Sequence, residues 1–212
     1  MNPFRSMSDG KIAELTHRVL ENAGSAMTRR SYRSVTGQTL HYLVRPHTHI
    51  PRTPIEGDAA WRGDELQDND RWTDRLDDDA LDEIERALRV AEGTGKEIRE
   101  MTATDFPLPT LDRRIRRWRE AVHEGLGVQV IRGVPVQHWS QRQAQIFFWC
   151  LGQHLGVPGV QNREGDILGH VRSTGASYDD SAIRGYKTDA HLAYHCDAAD
   201  AVGLLCLHPA KE

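Results

Sequence analysis

The chain has few cysteines, few aromatic residues, no large excess of either charge and no long apolar run. Cys150, Cys196 and Cys206 are its 3 cysteines in 212 residues. Their number is odd and their spacing is not that of a metal cluster, so they read as thiols of a reducing compartment rather than as a disulfide framework. Lys+Arg 27 against Asp+Glu 31 gives a formal net charge of −4. That balance argues against a dedicated nucleic-acid binder, which carries a clear basic excess. No stretch approaches the roughly 20 apolar residues of a membrane helix, and Met1 to Gly10 lacks the apolar core of a secretory signal. There is no internal repeat, phosphate-cradling glycine loop or Ser-His-Asp order. What remains is a cytoplasmic, globular, enzyme-like chain of mixed structure, with neither nucleic acid nor membrane as a partner.

The chain divides near Pro51, Pro54 and Gly57. Residues 1–51 read as an N-terminal extension: a helix over Ser8 to Asn22, where Ile12, Leu15, Val19 and Leu20 recur at helical spacing, then an irregular basic segment from Thr28 to His49. Residues 52–212 read as the main domain. Asp77 or Asp78 caps a helix whose stripe is Leu81, Ile84, Leu88 and Ala91, ended by Gly93 and Gly95. A second helix starts at Thr110 and buries Leu111, Ile115, Trp118 and Val122, with arginines from Arg113 to Arg119 as its solvated face. Val128 to Ile131 reads as a buried strand. Ser140 with Gln143 forms a capping box for a helix carrying Ala144, Phe147, Phe148, Leu151 and Leu155. Ile167 to Val171 and Ala201 to Leu207 read as later strands. Helices first and strands later predict an α+β fold. The scattered tryptophans, Trp61, Trp72, Trp118, Trp139 and Trp149, read as core anchors.

The chemistry concentrates in Tyr194-His195-Cys196-Asp197. In an extended segment, residues i and i+2 project to one side. An imidazole and a carboxylate then converge, as in the near half of a two-histidine, one-carboxylate iron(II) site. The spacing alone does not separate this from a surface histidine beside an aspartate, because roughly one or two such triplets arise by chance in a chain of this composition. His47-Thr48-His49 has the same geometry if extended, but sits in the irregular extension without a third partner.

Wider motifs carry a resemblance. Arg184-Gly185-Tyr186-Lys187-Thr188, Leu192, the His195 to Asp197 triplet, Asp200 and Val202 to Leu207 together resemble the iron(II)/2-oxoglutarate-dependent dioxygenases of the taurine dioxygenase type, the TauD/TfdA family. So do the opening from Pro54 to Leu66, the Asp105 to Pro109 turn, the Val128 to Pro135 strand, and Leu151-Gly152 with Leu155-Gly156. The resemblance covers about residue 52 to the end. It implies a double-stranded β-helix (jelly-roll) barrel flanked by helices. It implies iron(II) held by His195, Asp197 and a distal histidine, with 2-oxoglutarate as co-substrate anchored by an arginine after that histidine. Dioxygen, a small-molecule substrate, and release of succinate and CO2 follow from the same likeness. Gln161 and Asn162 fall where family side chains approach the site, or serve ordinary turn chemistry. Tyr186 and Leu192 line the substrate side or pack the core.

Members of the family continue well beyond the position matching Glu212, by this resemblance. The barrel is therefore expected to be incomplete in this chain, and the 212-residue chain is expected to be inactive. His170, His191 and His208 are the in-chain alternatives for a third ligand, none of them convincing. The competing expectation is a non-catalytic, truncated remnant that self-associates through its unpaired late strand.

Overall fold

The structure is a computed structural model that describes residues 35–43, 52–54, 56–67, 70–162, 165–172, 175, 195, 197 and 199–209. The Ser8 to Asn22 helix, His47, His49, Tyr186, His191, Leu192 and Cys196 lie outside these residues. The chain forms two compact units, one of residues 1–50 with 157–167, the other of residues 51–156 with 168–212.

In the first unit, α1 spans Val35–Leu43, within the stretch expected to be irregular. Gly37 and the β-branched Val35, Thr36 and Thr39 give it weak intrinsic propensity, which hides it from periodicity. Contact supports it instead: Gln38 occupies the place a Cβ on Gly159 would take.

In the second unit, a short α2 (Gly63–Gln67) precedes β1 (Thr73–Arg75). Then come α3 (Asp78–Gly93), α4 (Asp112–His123), β2 (Val130–Arg132) and α5 (Gln141–Leu155). β1 and β2 pair in parallel, Asp74 opposite Ile131. A parallel pair needs a crossover, and α3 and α4 lie within it. β1 has no apolar alternation, so the sequence gives no sign of it. β2 is half-buried rather than buried, because its sheet has a single partner strand. Ile167 to Val171 and Ala201 to Leu207 are not strands here: no ladder forms over either segment among the described residues.

α3 starts where Asp77 accepts the Ala80 N–H at 3.0 Å and buries Ala80, Ile84, Ala87, Leu88 and Ala91. The same face buries Glu83. Its carboxylate accepts the backbone N–H groups of Thr110 at 2.8 Å and Leu111 at 3.1 Å, and the Thr110 hydroxyl. Leu111, at the N-cap position of α4, offers no side-chain cap, so α3 supplies one. The orphan donors of a first turn and the positive end of the helix dipole receive the buried charge.

α4 is tied to β1 on its other side. Arg114 grips Asp74 with two nitrogens, at 2.7 and 3.2 Å, and reaches Asp77 at 2.8 Å. The Trp118 indole donates to Asp74 at 2.6 Å. Burial opposes the charge on Asp74, but the hydrogen bonds from Arg114 and Trp118 and the arginine charge outweigh it and hold the carboxyl below its usual range.

α5 opens on the expected capping box, Ser140 and Gln143 each accepting the other's backbone N–H. It buries a wider face than the expected stripe, including Ile146, Trp149 and Cys150. Trp149 and Gln153 both donate to the Met101 carbonyl, at 3.1 and 2.6 Å, and His154 meets the Phe106 carbonyl at 2.8 Å. Met101 and Phe106 are fully buried as a result. Trp118 and Trp149 are core, as expected. Trp72 and Trp139 are half-buried, and Trp61 is 40% exposed. Each of these three uses its indole N–H as a tether: Trp61 to the Leu126 carbonyl, Trp72 to the Leu66 carbonyl, Trp139 to the Glu85 carboxylate. Burial pushes the Cys150 thiol up to about 12, with the nearby Asp105 charge adding to the shift, so it is inert at neutral pH.

Candidate active site

His195 and Asp197 lie on one side of the chain, with His195 Nε2 3.8 Å from Asp197 Oδ1. Their side chains are 60% and 58% exposed. Adjacent donors on an octahedral ion, each about 2.1 Å from it, lie about 3.0 Å apart. The pair is close to that spacing and somewhat wider, so a small side-chain adjustment would bring both atoms onto one ion, and an imidazole with a hard carboxylate suits iron(II). Among the described residues, no group of three His, Cys, Asp or Glu side chains that could hold an ion occurs. His170 is exposed and contacts Gln145, and the carbonyl of His208 accepts the Cys206 thiol.

Asp197 lines an open pocket of about 380 Å³. One wall is Val122 at the end of α4 with Gly127, Val128 and Gln129 before β2. The other is Asp197 with residues 199–202, Asp200 among them. The first wall is held in place from behind. Gly127 turns the chain at φ +75°, a conformation that favours glycine. The Trp61 indole donates to the Leu126 carbonyl at 2.7 Å. The Gln129 amide donates to the carbonyls of Trp72 at 3.3 Å and Val130 at 3.2 Å. On the second wall, Gly203 packs over the Phe148 ring of α5, 3.5 Å from where its Cβ would be.

Gln161 and Asn162 belong to the other unit, and their amides are engaged in a turn. Gln161 donates to the Gly159 carbonyl. Asn162 and Asp166 bond reciprocally, side chain to side chain at 2.6 Å and backbone N–H to Asn162 Oδ1 at 3.0 Å, and Gly165 supplies the positive φ of 86°. Of the two readings open for this pair, turn chemistry accounts for these bonds. The sequence reading missed Gln129, because a glutamine before a β-branched run carries no mark of a pocket. Asp200 is visible in the motif, but its spacing gives it no role.

The comparisons with known proteins bear on this site. The family model described as taurine catabolism dioxygenase TauD, TfdA family, matches residues 89–212. The chain belongs to the TauD/TfdA family. It is similar to FR-33289 synthase of Streptomyces rubellomurinus, 30% identical over 164 residues that cover 77% of this chain and 48% of that protein. It is also similar to the taurine hydroxylase-like protein SAT17 of Stachybotrys chartarum, 24% identical over 163 residues, covering 74% of this chain and 42% of that one. The chain thus spans about half the length of the curated relatives it matches. The TauD/TfdA match includes α4, β2, α5, the His195–Asp197 pair and both walls of the pocket. Among the described residues, no helix is long and apolar enough to cross a membrane.

Proposed function

We propose that the protein is a non-haem iron(II)/2-oxoglutarate-dependent dioxygenase that hydroxylates a small organic molecule and releases succinate and CO2. The observation that carries this is the His195–Asp197 pair, two suitable donors 3.8 Å apart, of which Asp197 lines a pocket, in a chain of the TauD/TfdA family. Residues 52–212 are the dioxygenase portion in this reading, contributing the flanking helices and the first part of a jelly-roll barrel, and residues 1–51 are an extension.

His195 and Asp197 would hold the iron. The imidazole must be unprotonated to serve. Asp197 offsets one of the two metal charges and leaves net positive charge for an anionic co-substrate. The iron with 2-oxoglutarate supplies oxidation by dioxygen when both are bound. The chain's own task is to position and exclude. Val122, Val128 and Val202 give the pocket aliphatic walls, and the Trp61 and Gln129 tethers fix the wall opposite Asp197.

The test is an anaerobic titration of the chain with iron(II) and then 2-oxoglutarate, near neutral pH. Iron(II) binding is expected, abolished in His195→Ala and in Asp197→Ala while the far-ultraviolet dichroism is retained. Equal iron and co-substrate binding in both variants would sink the assignment. A second reading, a non-catalytic chain that acts through association, is supported by the exposed apolar Val202, Leu204 and Leu207. It predicts an oligomer without metal dependence.

A further inference from the structure

We propose that the outer face of the β1–β2 ladder is a phosphate-binding site, with the guanidinium groups of Arg75 and Arg132 gripping one phosphate group between them. The inference is independent of the dioxygenase reading and of the pocket beside Asp197.

The register places the two side chains. Arg75 and Arg132 are Cα partners at the ends of paired parallel strands, and neighbouring strands lie about 4.8 Å apart. Residues paired in register point to one face, and successive residues alternate between faces. Asp74 points to α4, where Arg114 and Trp118 hold it. Arg75 and Arg132 therefore share the opposite face, and both are exposed. The frame beneath them is fixed. The Leu76 N–H donates to the Arg132 carbonyl at 2.9 Å, and Arg114 donates to the Arg75 carbonyl at 2.7 Å. Gly133 turns the chain just past β2 at φ +87°. The Arg75 Cγ lies 3.9 Å from where a Cβ on that glycine would be. The Arg75 stem thus runs along bare backbone beside Arg132.

The charge decides the ligand. Like charges directly opposite each other across a strand pair destabilise a sheet. Among the described residues, neither guanidinium forms an ion pair or a hydrogen bond. Asp74 and Asp77, the carboxylates nearest Arg75 in sequence, are taken by Arg114. In a chain of net charge −4, two adjacent cations of this kind are a local exception, and an anion is what relieves their repulsion. Each guanidinium is a planar fork of N–H donors. The single charge and two oxygens of a carboxylate saturate one fork. A phosphate group carries about −1.5 to −2 charge at pH 7 and offers three strong acceptor oxygens, enough to meet both forks at once.

The experiment is an NMR titration of the 212-residue chain with inorganic phosphate, chloride holding the ionic strength constant. Saturable shifts centred on β1 and β2 are expected, with a thermal midpoint that rises as phosphate is added. Arg75→Gln and Arg132→Gln are each expected to weaken phosphate about tenfold, the scale of one charge-assisted hydrogen bond. The double glutamine variant is expected to lose saturable binding. Arg75→Lys with Arg132→Lys keeps both charges without the forks and is expected to bind phosphate more weakly than the parent but measurably, which separates lost charge from lost fold. Methyl phosphate reads the source of the group. Binding equal to that of inorganic phosphate supports a phosphate monoester as the ligand, and much weaker binding supports the free ion. Acetate is expected to bind far more weakly than either. In phosphate-free buffer Arg132→Gln is expected to raise the urea midpoint, because it removes the repulsion. No saturable phosphate binding, binding unchanged in the double glutamine variant, acetate equal to phosphate, or a clear fall in that urea midpoint would each overturn the inference.

Discussion

Removing the carboxylate of Glu83 strips the first turn of α4 of its acceptor. Glu83→Ala leaves the buried N–H groups of Thr110 and Leu111 without their partner. A loss of about 3 kcal/mol is expected, from orphaned donors and a small cavity together. Glu83→Gln keeps one good acceptor oxygen and should lose less. Urea denaturation reads both, and equal stability of Glu83→Ala and the parent would refute the tertiary cap. The cysteines give a second residue-scale expectation. Cys150 is buried with its thiol pushed up to about 12, while Cys206 is exposed. Brief iodoacetamide treatment of the native chain, mapped by mass spectrometry, should label Cys206 and spare Cys150 until denaturant is added. At this scale the sequence was legible where chemistry depends on local spacing. His195 and Asp197 are neighbours once removed, so an extended backbone alone aligns them. Glu83 and Gln129 were not legible, because their partners lie at Thr110 and Trp72, and nothing local distinguishes a buried glutamate or a tethered glutamine from a solvated one.

Elements were legible where they carry their own signals. The caps at Asp77 and Ser140 follow from side chains within the first turn, and both helices start where those residues stand. β1 was not legible, since Thr73-Asp74-Arg75 has the composition of a loop and becomes a strand only against β2. What secures it is the Asp74–Arg114–Trp118 junction with α4, and that junction has a pH signature. The folded pKa of Asp74 is depressed, so its contribution is fully present above the unfolded value of about 3.9. It is lost as pH falls through the lower folded value. Asp105, held down by its hydrogen bonds from Lys96 and the Thr102 backbone, acts in the same direction. Stability measured by urea midpoint should therefore be level near pH 5 to 7 on this account and decline below about pH 4. In Asp74→Asn the midpoint should be lower near neutrality and the acid decline shallower. An unchanged acid slope in that variant would assign the acid sensitivity elsewhere.

At the scale of the whole molecule, the late segment of the second unit stands out. Val202 is 56% exposed, Leu204 83% and Leu207 40%, in a run that forms no ladder among the described residues. Sequence reasoning found the strand propensity of this run, which is a local property. It could not supply the neighbours that turn propensity into a strand, which are non-local. Backbone donors and acceptors left open beside large apolar side chains form a template for pairing with another chain. Concentration-dependent self-association is therefore expected for the 212-residue chain. Light scattering behind size exclusion, from roughly 5 to 200 µM, is the measurement. Leu204→Lys puts a charge at the most exposed apolar position of the run and should shift the association midpoint upward by tenfold or more, since about 1.4 kcal/mol per contact suffices for that factor. The substitution lies away from the core helices, so the thermal midpoint should hold within a few degrees. A parent chain that stays monomeric across the whole range would show that this run does not pair, and would leave the apolar exposure without a role in association.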